Sequence, residues 1–196
     1  MMASRFAYVL WIALVPALLG GCGTSAPARF YTLDPTAAAN GASSARFAVV
    51  VDPVSIPASV DRPQFVVQTA ANRVDVDEFN RWVAPLGDQI AGVVAADLAA
   101  LLGTPNVATA PIPNPDYRVL INVQRFESVR GQTAVLDAVW TVQKARNSPP
   151  RSGRTIARET VQGEGFDALA AAHSRALATM SADIAAAIRA ANDSVH

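Results

Sequence analysis

A chain of 196 residues with 16 basic and 16 acidic side chains is formally neutral, which excludes the basic excess that binds nucleic acid. Its apolar fraction of 51% is enough to build the core of one domain of ordinary size. A single cysteine and two histidines rule out an internal disulfide and a Cys/His zinc cluster.

At the N-terminus, Arg5 precedes an uncharged stretch from Phe6 to Leu19. Its fourteen residues suit the apolar segment of an export signal and fall short of the ~20 needed to span a bilayer. The stretch runs into Leu19-Gly20-Gly21-Cys22, with Leu at −3, small residues at −2 and −1, and Cys at +1, the pattern of a bacterial lipobox. The predicted organisation is a signal peptide over 1–21, a lipidated tether over 22–28 and a folded domain over 29–194. Cleavage before Cys22 leaves 175 residues. Acylation of the Cys22 sulfur, with palmitate among the acyl groups, explains the lone cysteine: a free thiol is a liability in an oxidising compartment, whereas a thioether is inert. Several acyl chains anchor a protein firmly, at about 0.8 kcal/mol per buried methylene. There is no polybasic run, so attachment would rest on the lipid alone. Position +2 is Gly23 rather than Asp, which resembles lipoproteins sorted to the outer membrane.

Past the small and Pro-containing tether, Arg29–Leu33 reads as a short strand and 34–45 as a loop. Residues 46–52, nearly all apolar, suit a strand covered on both faces. Pro53 and Pro57 then stop regular pairing. Residues 64–69 and 73–77 form a hairpin turning near Asn72, a residue that tolerates positive φ. Its second arm alternates Val74 and Val76 with Arg73, Asp75 and Asp77, a half-exposed strand with the aspartates toward solvent. Pro85 opens a helix whose stripe is Leu86, Ile90, Val93, Val94, Leu98, Leu101 and Leu102; Gly103 and Pro105 end it. Tyr117–Val129 and Gln132–Ala145, joined at Arg130-Gly131, give the clearest hairpin. Tyr117, Val119, Ile121 and Val123 share one face of the first strand, as do Ala134, Leu136, Ala138, Trp140 and Val142 of the second. Residues 146–153, with Pro149-Pro150 and Gly153, read as a loop, and 154–162 as an alternating strand. Asp167 would cap a last helix reaching about Ala191, with Leu169, Ala172, Ala176, Met180, Ile184 and Ile188 as its stripe. This order predicts an α+β, two-layer sandwich: a mostly antiparallel, mixed sheet with two helices packed on one face.

Catalytic constellations are scarce. No nucleophile elbow, phosphate-binding loop or dinucleotide fingerprint is present. His196 is terminal, and His173 reads as a residue on a helix surface. Asp75, Asp77 and Glu78 fit a solvated strand better than a cation site. Glu78 and Arg81, three apart, would pair if their segment turned helical. Trp82 before Pro85-Leu86 reads as a packing anchor. The Asp61-Arg62-Pro63-Gln64 string suits an ordered turn or a contact with a neighbouring chain. No catalytic, cofactor-binding or metal-binding residue is predicted.

The lipobox, Arg29-Phe30-Tyr31-Thr32-Leu33, Val54-Ser55-Ile56-Pro57, Val60-Asp61-Arg62-Pro63-Gln64, Asn72, Val74, Glu78, Arg81-Trp82 and Pro85-Leu86 follow one another in an order that resembles the ABC-type transport auxiliary lipoproteins, in particular the PqiC-like group. Tyr117, Phe126-Glu127, Gly131 and Leu136–Trp140 extend the likeness across the mature chain. The resemblance implies a non-enzymatic lipoprotein on the outer membrane facing the periplasm. It implies a docking or accessory role in an MCE-type intermembrane lipid transport system that supports envelope integrity. The implied partners are an MCE-domain conduit protein, its inner-membrane permease-like partner, further copies of the chain in a ring-like homo-oligomer, and lipid. Cys22 carries over as the lipidation site. Asp61, Arg62, Pro63, Gln64, Glu78, Arg81 and Trp82 carry over as family-motif or interface residues. The alternative is a standalone structural or assembly lipoprotein of the envelope.

Overall fold

The computed structural model describes residues 26–39, 47–144 and 148–193. Its elements run β1 (Arg29–Tyr31), β2 (Val49–Val51), β3 (Gln64–Ala70), β4 (Arg73–Trp82), α1 (Leu86–Leu102), β5 (Val107–Ala108), β6 (Tyr117–Val129), β7 (Thr133–Lys144), β8 (Arg151–Thr160) and α2 (Gly165–Asp193). The strands form two sheets. Five lie in the order β5-β2-β6-β7-β8 and three in the order β1-β4-β3. Pairing is antiparallel within β6-β7-β8 and β3-β4, and parallel where β2 meets β5 and β6 and where β1 meets β4. The predicted α+β class and mixed sheet are present, but divided between two sheets.

Period-2 and period-3.6 patterns meet in the core. The inward residues predicted for β6 and β7 are all buried, as are both predicted helical stripes. Both helices cover one face of the five-stranded sheet: α2 lies along β7 and β8, and α1 lies beside it over β2 and β5. The α2 stripe is fully buried at Ala172, Ala176 and Ala185, where the lack of a long side chain lets the helix approach the sheet closely. Pro85 takes the N-cap position of α1, and Gly103 ends it in the left-handed conformation (φ 65°), its N–H reaching Ala99 O. Only a residue without Cβ adopts that conformation freely.

The chain after β1 is strapped across the helix pair. Leu33 N donates to Gln89 Oε1 (3.0 Å), Asp34 N to Ser174 Oγ (3.0 Å) and Ala37 N to Asp97 Oδ1 (3.0 Å). Burial pushes the Asp97 carboxyl above its ordinary range in spite of the bond from Ala37.

Five expectations change. The 146–153 loop is shorter, because Arg151–Gly153 pairs with β7. Gly153 reads as a loop residue but is a cut-out: it lies opposite Trp140, and a Cβ there would overlap the indole at Cζ2 and Cη2. The last helix begins at Gly165, so Asp167 lies in its first turn rather than capping it. The β3–β4 turn at Ala71-Asn72 forms without positive φ at Asn72. Finally, the alternation of β4 is inverted. Asp77 and Asp75 stand across from buried Phe65 and Val67, while Val76 and Val74 stand across from Val66 and Gln68 on the outer face.

Trp140 is 8% exposed and its Nε1 donates to Thr155 Oγ1 (3.0 Å), which in turn donates to Asp183 Oδ2 (2.6 Å). Trp140→Ala is expected to cost ~3–5 kcal/mol. Gly153→Ala, which forces a methyl into the ring, is expected to cost ~1–3 kcal/mol. Chemical denaturation of the two variants checks both values.

Candidate interaction surface

The sequence-predicted site residues fall around the three-stranded sheet, except Cys22, which lies outside the described residues. A tight turn leads into β3: Val60 N and Asp61 N both donate to Pro57 O (3.0 and 3.1 Å), and Arg62 N donates to Val60 O (2.9 Å). Pro63 O accepts from Trp82 N (2.7 Å), which fastens the turn to β4. Gln64 then pairs with Arg81 in register.

Between the Gln64–Arg81 and Phe65–Asp77 pairs, β4 carries three more residues than β3. This bulge, Glu78–Asn80, explains the Glu78–Arg81 contact without a helix. Glu78 Oε2 lies 3.6 Å from Arg81 Nη2 and accepts from Gln64 Nε2 at 3.3 Å, while Arg81 Nε donates to Glu78 O at 2.8 Å. The Asp77 carboxylate holds the bulge by accepting from Phe79 N (3.0 Å), Asn80 N (2.9 Å) and Asn80 Nδ2 (2.9 Å). Burial pushes Asp77 up. The bonds from Asn80 and Phe79, together with the Arg130 guanidinium 3.7 Å away, outweigh it and hold its pKa below 3.8.

Pro63, Gln64, Glu78, Arg81 and Trp82 are thus brought together, while the Asp61 and Arg62 side chains stand exposed on the turn before them. Trp82 is a packing residue. It is buried and stacks on Phe65 with ring centroids 4.0 Å apart, and meets Phe126 edge-on at 6.2 Å. Phe65 also takes the edges of Tyr31 (5.4 Å) and Phe166 (5.0 Å).

His173 corrects the surface-helix reading. It is fully buried, its ring lies flat on Phe126 (3.8 Å, 9°), and Nε2 sits 2.8 Å from Ser128 Oγ. Ser128 is buried as well. Nδ1 has no hydrogen-bond partner among the described residues, and burial lowers the imidazole pKa from 6.5 to about 3. The signal that was available is the step of four from Leu169 and of three to Ala176, which puts His173 on the buried stripe.

On the outer face of the five-stranded sheet, the Arg154 fork grips Asp137 (2.8 and 2.7 Å), and Arg125 grips Glu127 (2.8 and 2.6 Å). The Arg154 bonds hold the Asp137 carboxyl below its usual range. An open cleft of about 540 Å³ lies between Val67–Ala71 and Val129–Gln132; Asp75 and Arg130 are the charged residues lining it. No group of three or more His, Cys, Asp or Glu side chains among the described residues could hold a metal ion. No helix among them is long and apolar enough to cross a membrane.

An α+β domain of two mixed sheets and two helices is the class that the fold defines. The family model of the ABC-type transport auxiliary lipoprotein component matches residues 31–185, and the chain belongs to that family. Members are lipoproteins auxiliary to a transport system. A Xanthomonas campestris protein of the DUF330 family has a similar fold at 20% identity, covering 86% of this chain and 100% of its own, with a TM-score of 0.69. A protein described as uncharacterized is similar at 20% identity, covering 83% and 99%, with a TM-score of 0.70. The PelC dodecamer from Paraburkholderia phytofirmans aligns at 13% identity over 81% of this chain and 89% of its own, with a TM-score of only 0.39. No curated protein matches the chain in sequence.

The buried imidazole makes stability depend on pH. The folded ring stays neutral down to about 3, whereas the unfolded one takes a proton near 6.5. Between those values the unfolded state binds more protons. The stabilisation is therefore full above pH 6.5 and falls by about 1.4 kcal/mol per pH unit below it. Asp97, raised by burial, acts in the opposite sense, so the comparison is with His173→Phe, which keeps a ring on Phe126. Urea titrations at pH 7 and pH 5 are expected to show the variant losing less stability on acidification than the wild type.

Proposed function

We propose that this chain is an outer-membrane-anchored periplasmic lipoprotein, PqiC-like, that serves as the docking subunit of an MCE-type intermembrane lipid transport system. One observation supports the reading above the others. The family match covers the folded domain from Tyr31, and the lipobox cysteine, Cys22, stands nine residues before that point. The combination describes a folded module on a short acylated leash, with Gly23 favouring the outer membrane. In this reading the domain binds protein rather than transforming a substrate. Its partners are the MCE-domain conduit, the permease-like protein behind it, and further copies of the chain in a ring.

The exposed Asp61-Arg62 turn offers hydrogen bonds and charge for such contacts, and the bond from Trp82 N to Pro63 O fastens it to β4. The experiment is Cys22→Ser in the native host with the conduit gene present. The variant is expected to fold with an unchanged melting temperature and to leave the membrane fraction, while the wild type purifies from membranes with the conduit attached. A wild-type protein that carries an unmodified thiol by intact mass contradicts the anchor. A correctly acylated protein that never brings down the conduit contradicts the docking role.

A further inference from the structure

The three-stranded sheet and the residue that follows it hold most of the large apolar side chains exposed among the described residues. Phe30 is 62% exposed, Val83 56%, Val74 56% and Phe79 46%. Phe30, Val74 and Val83 share a face. Phe30 pairs with Arg81 while its neighbour Tyr31 pairs with Trp82 on the buried side, so the two faces of β1 are assigned. Val83 lies two residues beyond Arg81 on the same side. Asn80 turns inward, where Tyr31 Oη donates to it (2.6 Å), and Phe79, within the bulge, is exposed next to it. Val74 continues the face toward the hairpin tip. Clustered exposed apolar side chains on a small domain mark a contact surface.

We infer that this face rests on the lipid bilayer, with Phe30 and Val83 entering the interfacial layer, so that the domain is held in one orientation rather than swinging on its leash. The inference rests on the acylated-Cys22 reading. The described chain begins at Ala26 and enters β1 at Arg29, one residue before Phe30. Cys22 is eight residues from Phe30, a span of at most ~29 Å when fully extended. That is shorter than the ~40 Å across a compact domain of this length, for which the radius of gyration is about 16 Å. The anchor therefore keeps the β1 end at the membrane surface, at a high effective concentration. The first apolar surface that lipid meets there is the one that contains Phe30. The charged residues within the face, Arg81 and Glu78, lie 3.6 Å apart as an ion pair, and the Arg81 stem can lie along apolar surface while its head stays at the level of the lipid headgroups.

The test uses the acylated full-length protein in phosphatidylcholine–phosphatidylglycerol vesicles. Because the Cys22 sulfur is blocked by acylation, an introduced cysteine is the one free thiol. Val83→Cys carries an NBD dye, Phe30→Cys serves as the second site, and Ala186→Cys is the control. Ala186 is exposed and lies twenty residues along α2 from Phe166, ~30 Å at 1.5 Å per residue. Phe166 packs on Tyr31. The expected result is a blue shift at positions 83 and 30 with quenching by lipids spin-labelled near the headgroup, and neither effect at position 186. Equal iodide quenching at all three positions, while the protein still floats with the vesicles, overturns the docking and leaves the anchor standing. Shielding at position 83 that persists in lipid-free detergent and rises with protein concentration assigns the face to a second copy and also overturns it. Dye uptake by the wild-type chain at Cys22, with no flotation, removes the anchor and the inference together.

Discussion

Stacking of Phe65 on Trp82 joins the two sheets of this molecule into one body. The three-stranded sheet is too small to be stable alone, and its outer face is exposed. Its inner face is held by a contiguous set of rings. Phe65 touches Tyr31, Trp82 and Phe166, Trp82 meets Phe126, and Phe126 stacks on His173. These residues come from β1, β3, β4, β6 and α2, so a single cluster ties the strand that follows the tether to the central hairpin and the long helix. Such ring pairs add ~0.5–1.5 kcal/mol each beyond the area they bury. Arg130 over the Phe166 ring (4.7 Å) caps the cluster and also reaches Asp77, the residue that shapes the β4 bulge.

That arrangement suits an adaptor. In the proposed docking role, the domain passes geometry from a membrane anchor to whatever it binds. Here the path from the tether runs through β1 into the aromatic cluster and through the Leu33–Ala37 strap onto both helices. The motif residues Gln64, Glu78 and Arg81 sit on the outside of the same sheet, immobilised by backbone pairing. The Ser128–His173 pair, which by residue type suggests chemistry, is instead sealed inside and helps hold α2 on β6.

The parts of this fold that were legible in the sequence are those where one period dominates. The β6–β7 faces and both helical stripes follow from alternation and from three- and four-residue steps, because each element has one covered side. The rest depends on relations between distant segments. The inversion of Val74 and Val76 follows from how far the β3–β4 hairpin extends past the core, which local alternation does not encode. The Glu78–Asn80 bulge is a register effect that becomes visible only when β3 lies alongside. Gly153 carries the loop signature of any glycine until Trp140 occupies the space beside it. Among the site residues, the packing role of Trp82 was readable from its setting. The grouping of Gln64 with Glu78 and Arg81 required the pairing, and Asp61 and Arg62 stand apart from that group. The aromatic cluster itself was hidden because its members are spread from Tyr31 to His173.

The most direct measurement of this account is amide hydrogen exchange of the β3–β4 hairpin against the β6–β7 hairpin in the same sample. If the aromatic cluster makes one body of the two sheets, the paired amides of Phe65–Val67 exchange through the same global opening as those of Val119–Val123, with the same denaturant dependence. Exchange of the β3–β4 amides through a separate, low-energy opening while β6–β7 stays protected would contradict it.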